Sequence, residues 1–227
     1  MTGHRKDSST VEREAELNYG VTSLGPRDTV LASGERTYVV LGVSRGGTSA
    51  AAGLLNHLGV PMGSTGEAPL FEDLPMNRAL SQDIESVETL IAHNNDEKPV
   101  WGFKGNTITL PYEEIAIRLR NPVFVVIFRD LLAIANRARL SAGRDVAAIM
   151  QRQGKEYQRI VDFVSTGRFF SVLVSYEKLS MYPDKVVDAL ADSAGLDVTT
   201  EQLRAASAFV RPAPDDYLKV SRARKKN

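Results

Sequence analysis

The stretch LGVSRGGTSAAAGLL, residues 41–55, decides the fold. An apolar run ends at Gly42, a glycine-rich turn follows, and an Ala- and Leu-rich segment begins at Thr48. A strand, a glycine turn and a helix in this order can hold an oxyanion, because the turn amides and the positive end of the helix converge on one point. The segment therefore predicts an anion site of the P-loop type.

The turn departs from the template of nucleotide-hydrolysing P-loops at one decisive position. Gly42 and Gly47 have the spacing of G-x-x-x-x-G-K-[ST], and Ser49 supplies the hydroxyl, but Thr48 replaces the lysine. Without that lysine, no point charge lies between a β- and a γ-phosphate. Arg45 places a positive charge elsewhere in the loop. This pattern indicates a shorter terminal anion than a nucleoside triphosphate, and a tight turn with packing glycines is the alternative.

Four short apolar runs predict the central sheet. They cover residues 37–43, 99–104, 122–128 and 169–175, and they are apolar on both faces, as buried parallel strands are. Helical patterns lie between them, including the stripes Ala51, Leu54, Leu55, Leu58 and Leu80, Ile84, Val87, Ile91 and the segments 131–138, 149–164 and 183–195. The alternation predicts an α/β fold, a three-layer α/β/α sandwich with a mostly parallel central sheet of the P-loop nucleotide-binding type. The ligand is expected beyond the carboxyl ends of the strands.

Composition restricts the class of protein. The 227 residues carry 28 basic and 28 acidic side chains, so no net field favours nucleic acid as a partner. There are no cysteines, which excludes thiolate metal sites and thiol nucleophiles. No apolar run reaches the roughly 20 residues of a membrane span. We expect a cytoplasmic protein without an integral membrane segment, with a loose arm at 1–35, one domain at 36–215 and a basic tail at 216–227.

Four stretches, taken in order, resemble the PAPS-dependent sulfotransferase family in its bacterial form; PAPS is 3′-phosphoadenosine 5′-phosphosulfate. They are VSRGGTSA (43–50), VWGFKGN (100–106), VFVVIFRDLLAIANR (123–137) and VLVSYEKLSMYPDKVVDALADSAGL (172–196). The likeness extends over about residues 37–212. It implies an enzyme that transfers a sulfuryl group from PAPS to a hydroxyl or amine of an acceptor.

The resemblance also implies roles for individual residues in binding the donor. It assigns the 5′-phosphosulfate to Arg45, Gly46, Gly47, Thr48 and Ser49. It assigns the 3′-phosphate to Arg129, and it puts Tyr176 near the adenine. The family has a serine eight residues after this arginine, where the present chain has Arg137. We expect Arg137 to contact phosphate from one turn further along the helix.

For catalysis, the resemblance points to Lys104. Charge develops on the bridging oxygen of the leaving phosphate, and a fixed cation beside that oxygen lowers the barrier. Many relatives have a histidine two residues later as the base, but here that residue is Asn106. Other branches use a carboxylate after the loop helix, which favours Glu67, then Glu72, with Asp73 also near. No metal is expected.

The acceptor and two alternatives stay open. Residues 63–98 contain few aromatic side chains, so a small-molecule or glycan acceptor, such as a sugar, a lipid-linked glycan or an aliphatic alcohol, is favoured over a flat phenol. The altered base position is also compatible with a non-catalytic, nucleotide-binding module of this type. A P-loop kinase-like phosphotransferase with a changed lysine is the second alternative.

Overall fold

The computed structural model describes residues 19–63, 71–105, 108 and 110–210. These residues form one five-stranded sheet in the order β1-β5-β4-β2-β3. The strands are β1 (Val21–Leu24), β2 (Arg36–Leu41), β3 (Val100–Gly105), β4 (Pro122–Phe128) and β5 (Ser171–Ser175). Strands β2 to β5 are parallel, and β1 runs antiparallel to β5. The predicted α/β class and mostly parallel sheet are confirmed.

Ten helices are found in the part of the chain that the structure describes. They are α1 (Arg27–Leu31), α2 (Thr48–His57), α3 (Leu74–Gln82), α4 (Ile84–Glu97), α5 (Tyr112–Ala116), α6 (Leu131–Ala142), α7 (Val146–Ser165), α8 (Tyr176–Met181), α9 (Pro183–Ser193) and α10 (Thr200–Val210). None of these helices is both long enough and apolar enough to cross a lipid bilayer.

The apolar side chains divide into two clusters, one on each face of the sheet. Alternation along β2 sends Tyr38 and Val40 into one cluster and Val39 and Leu41 into the other. Helices α2, α9 and α10 contribute buried residues to the first cluster, and α3, α4, α6 and α7 contribute to the second. Helices therefore cover both faces, which is compatible with a three-layer sandwich.

Two local features differ from the sequence prediction. Residues 19–35 fell within the expected loose arm, yet they form β1 and α1, and Val21 is buried opposite Val174. The stripe from Leu80 to Ile91 suggested one helix, but the chain breaks at Asp83, whose carboxylate accepts a hydrogen bond from the Ser86 amide at 2.7 Å and so caps α4. The remainder of the arm, 1–18, and the tail 216–227 lie outside the described residues.

Parallel register brings the ends of four strands to one edge of the sheet. Leu41, the last residue of β2, pairs with Gly105 of β3 and with Val126 of β4. Phe128 at the end of β4 pairs with Ser175 at the end of β5. The glycine loop and the segments that follow β4 and β5 therefore start side by side, together with the end of β3.

Candidate functional site

The loop between β2 and α2 has a backbone that depends on its glycines. Gly47 has φ of 100° and is the residue before the first turn of α2. Gly46 donates its amide to the Val43 carbonyl at 2.8 Å, and a Cβ there would lie 2.7 Å from the same oxygen. Arg45 also adopts a positive φ, 67°, which is uncommon for a residue with a side chain. Because Gly47 brings no capping side chain, the positive end of α2 faces the loop directly.

A buried cation stands beside this helix start. The side chain of Lys104 is 1% exposed, and its Nζ donates a hydrogen bond to Oγ of Ser49 at 3.1 Å. The same Nζ lies 3.5 Å from Oε1 of Glu72. A buried ammonium is costly unless it is paired and hydrogen-bonded, and both conditions hold here. A positive charge at the loop helix is thus supplied by the neighbouring strand β3.

The acidic residues before α3 have separate roles. Glu72 contacts Lys104, and its side chain is 22% exposed, so it is open to solvent. Asp73 is buried, and its carboxylate accepts a hydrogen bond from the Met76 amide at 2.9 Å, which caps α3. Glu67, the preferred base from sequence, lies outside the described residues and its role stays a prediction. Among described acids, Glu72 is the one in an ion pair with Lys104.

Arg129, the first residue after β4, joins the loop to the end of β5. Its Nη1 donates to the carbonyl oxygen of Arg45 at 3.1 Å, and its guanidinium carbon lies 4.3 Å from the centroid of the Tyr176 ring. Within the described part of the chain, its Nε is buried without a hydrogen-bond partner. The Tyr176 ring in turn packs on Gly47, where an added Cβ would overlap it. A guanidinium with an unused buried donor is suited to an oxyanion.

The backbone of Arg129 is fixed by a residue that sequence reasoning missed. The Tyr157 hydroxyl accepts the Arg129 amide at 2.8 Å and donates to the Arg129 carbonyl at 3.1 Å. Burial raises the pKa of Tyr157 to about 12, and the bonds to Arg129 oppose this only in part. The hydroxyl therefore stays protonated and holds both bonds. In the sequence, Tyr157 belongs to the apolar helical segment 149–164, and no pattern there indicates that its hydroxyl bonds to Arg129.

The sequence also predicts a phosphate contact for Arg137. This residue lies on α6, half-buried, and a cavity of about 120 Å³ opens nearby between the loop, α6 and α7. Ile134 and Ala138 of the same helix line that cavity together with Arg45, but Arg137 does not. The proposed phosphate contact of Arg137 stays a prediction.

The structure thus gathers most of the predicted residues around one loop. Lys104, Ser49 and Glu72 form one contact group, and Arg129, Tyr176 and Gly47 form a second that shares the loop with the first. Such an arrangement can hold a tetrahedral anion and can stabilise negative charge next to a carboxylate. A comparison with family models finds no match, and a search of curated proteins finds no significant relative.

Proposed function

We propose that the chain is a sulfotransferase that moves a sulfuryl group from PAPS to a hydroxyl or amine of an acceptor. One observation carries the proposal: Lys104 is buried at the end of β3 and bonds to Ser49 in the first turn of the loop helix. Thr48 stands where a nucleotide-hydrolysing P-loop has its lysine, and Lys104 of β3 supplies a cation at the helix start instead.

The residues present fit the two ends of the donor. The loop from Arg45 to Ser49, with the uncapped start of α2, would hold the 5′-phosphosulfate. The buried, unpartnered Nε of Arg129 is a donor for the 3′-phosphate. Tyr176, already stacked on the Arg129 guanidinium at 4.3 Å, would lie against the adenine.

The chemistry needs a cation and a base. When bound, the donor supplies the sulfuryl group and a phosphate leaving group. The acceptor oxygen or nitrogen attacks sulfur while the bond between sulfur and the bridging oxygen breaks. Lys104 and Arg45 stabilise the negative charge that grows on the leaving phosphate. Glu72, next to Lys104 and partly exposed, takes the proton that the acceptor loses; Glu67 is the alternative base.

Ligand-dependent thermal stability tests the proposal. A ligand that binds the native state raises the melting temperature by mass action. We expect adenosine 3′,5′-bisphosphate, the donor product, to stabilise the chain more than AMP or ATP with magnesium does. Greater stabilisation by ATP with magnesium would instead favour a kinase-like phosphotransferase, and no stabilisation by any of the three would refute nucleotide binding.

Turnover is the second arm of the test. With labelled PAPS and a panel of sugar and aliphatic alcohol acceptors, we expect transfer of the labelled sulfuryl group to at least one acceptor. Stabilisation by the bisphosphate without any transfer, and without slow hydrolysis of PAPS, would identify a non-catalytic nucleotide-binding module.

A further inference from the structure

The lining of the cavity beside Arg45 is rich in arginine, unlike the rest of the site. Three of its lining residues are arginines, Arg45 from the loop, Arg144 before α7 and Arg152 within α7, and no carboxylate of the described residues lines it. None of the three guanidinium groups has a hydrogen bond or ion pair to any residue that the structure describes. Like charges around one space repel each other, so this cavity favours an anion.

A buried amide adds a further hydrogen-bonding group. Gln153 is 4% exposed, lines the same cavity, and forms no side-chain hydrogen bond with the described residues. Buried polar side chains are normally hydrogen-bonded. Its amide N–H group and the arginine forks are donors that match carboxylate, sulfate or phosphate oxygens.

The size and position of the cavity bear on which ligand would carry the anion. A volume of about 120 Å³ is below the roughly 300–1,000 Å³ of sites that enclose whole small molecules, so one group of a larger ligand fits. Neither Lys104 nor Arg129 nor Tyr176 lines the cavity. The contacts proposed for the donor therefore lie elsewhere, and only Arg45 belongs to both regions.

We propose that this cavity binds an anionic group carried by the acceptor, so that the acceptor is an acidic molecule such as a uronic acid, or a sulfated or phosphorylated sugar. The inference rests on the proposed sulfuryl transfer. Arg45 is part of the donor loop, where its carbonyl oxygen accepts a hydrogen bond from Arg129, and it also lines the cavity. An acceptor anchored there by its anion holds its remaining groups beside the loop.

Binding of small anions tests the cavity with the donor site filled. The chain is saturated with adenosine 3′,5′-bisphosphate and then titrated with sulfate or glucuronate, followed by calorimetry. We compare the wild type with the double variant Arg144→Gln and Arg152→Gln. The matched control is Arg139→Gln with Arg204→Gln, which removes the same charge from exposed arginines that do not line the cavity.

We expect the cavity variant to bind both anions at least about tenfold more weakly, the cost of losing a charged hydrogen bond, and the control to bind like the wild type. Equal binding by the cavity variant, equal weakening in the control, or no anion binding by the wild type would overturn the inference. Weaker binding of the bisphosphate itself to the cavity variant would assign the cavity to the donor and would also overturn it.

Turnover of a matched pair of acceptors completes the experiment. Methyl glucoside and methyl glucuronide differ only at C6, where a carboxylate replaces the hydroxymethyl group, and we expect the glucuronide to have the lower KM in the wild type and no advantage in the cavity variant. Failure of the bisphosphate to bind the wild type would overturn the proposed function. Normal bisphosphate binding with anion binding unaffected by Arg144→Gln and Arg152→Gln would overturn only this inference.

Discussion

The ring of Tyr176 packs directly on the α-carbon of Gly47, so that a Cβ at position 47 would lie 2.8 Å from Cε2 of the ring. Gly47, which precedes the first turn of α2, and Tyr176, which follows β5, are therefore in contact without a ligand. Tyr176 also stacks on Arg129. A single substitution at Gly47 would disturb both halves of the proposed donor site.

For Gly47→Ala we expect loss of stabilisation by adenosine 3′,5′-bisphosphate in a thermal melt. Alanine disfavours positive φ by roughly 1–2 kcal/mol, and the added methyl group displaces Tyr176. Gly167→Ala is the control, because Gly167 has φ of 63° and no atom within 4 Å of the added Cβ. It should lose stability and keep binding. If Gly47→Ala binds the bisphosphate as the wild type does, the loop is not the donor site.

For Lys104→Met we expect kcat to fall by about 10²- to 10³-fold, the usual effect of removing one group that stabilises transition-state charge. Methionine retains much of the volume of the buried side chain, so the fold should persist. Lys98→Met, which changes a more exposed lysine next to β3, should leave kcat unchanged. Steady-state kinetics and bisphosphate binding are measured together, and near-normal kcat in Lys104→Met would remove Lys104 from the mechanism.

Substitutions at Glu72 and at the adjacent Asp73 distinguish loss of the proposed general base from loss of the α3 N-cap. Glu72→Gln should lower kcat by about 10²- to 10⁴-fold, as expected for loss of a general base, and it should also lower the melting temperature, because the buried Lys104 loses its paired carboxylate. Asp73→Ala removes the α3 cap and should cost about 1 kcal/mol of stability with a smaller effect on kcat. If Glu67→Gln abolishes turnover while Glu72→Gln does not, the base is Glu67.

For Tyr157→Phe we expect weaker bisphosphate binding and a change in the alkaline stability profile. The raised pKa of about 12, against about 10 for an unfolded tyrosine, means that Tyr157 stabilises the fold fully below pH 10. This contribution is lost as the pH rises from 10 to 12. Melting temperatures over this window should fall less in Tyr157→Phe than in the wild type.

Tyr182→Phe, at an exposed position, is the control for general tyrosine ionisation and should follow the wild type. Parallel profiles for Tyr157→Phe and the wild type would show that ionisation of this hydroxyl is not coupled to folding. Unchanged bisphosphate affinity would show that Arg129 does not need this support.

Sequence predicted the strands of the parallel sheet well, because runs such as PVFVVIF are apolar on both faces and end in chemically distinctive residues. It missed β1, since VTSL is short and half polar and is a strand only through its pairing with β5. It also joined α3 to α4, because the apolar stripe continues in phase through the capping residue Asp83. The spacing of apolar residues indicates which side chains are buried, but it does not indicate where a capping side chain ends a helix.

The candidate site, like the fold, could be predicted from sequence only in part. Loop and strand-end residues could be named from sequence because the family resemblance pointed to them and because parallel strands bring their carboxyl ends together. The contact between Lys104 and Glu72 could not, because it depends on how the chain returns from α2. The two hydrogen bonds from Tyr157 to Arg129 depend on the packing of α7 against the sheet, which no local pattern encodes.

The hydrogen bonds on the outer edge of β3 affect how this part of the protein unfolds locally. Gly102 donates its amide to the Pro61 carbonyl at 2.9 Å and accepts the Gly63 amide at 2.8 Å. The segment that leads toward Glu67 and Glu72 is thus hydrogen-bonded to the strand that carries Lys104. Amide protons of Gly102 and Gly63 should therefore exchange with solvent together, as members of one cooperative unit.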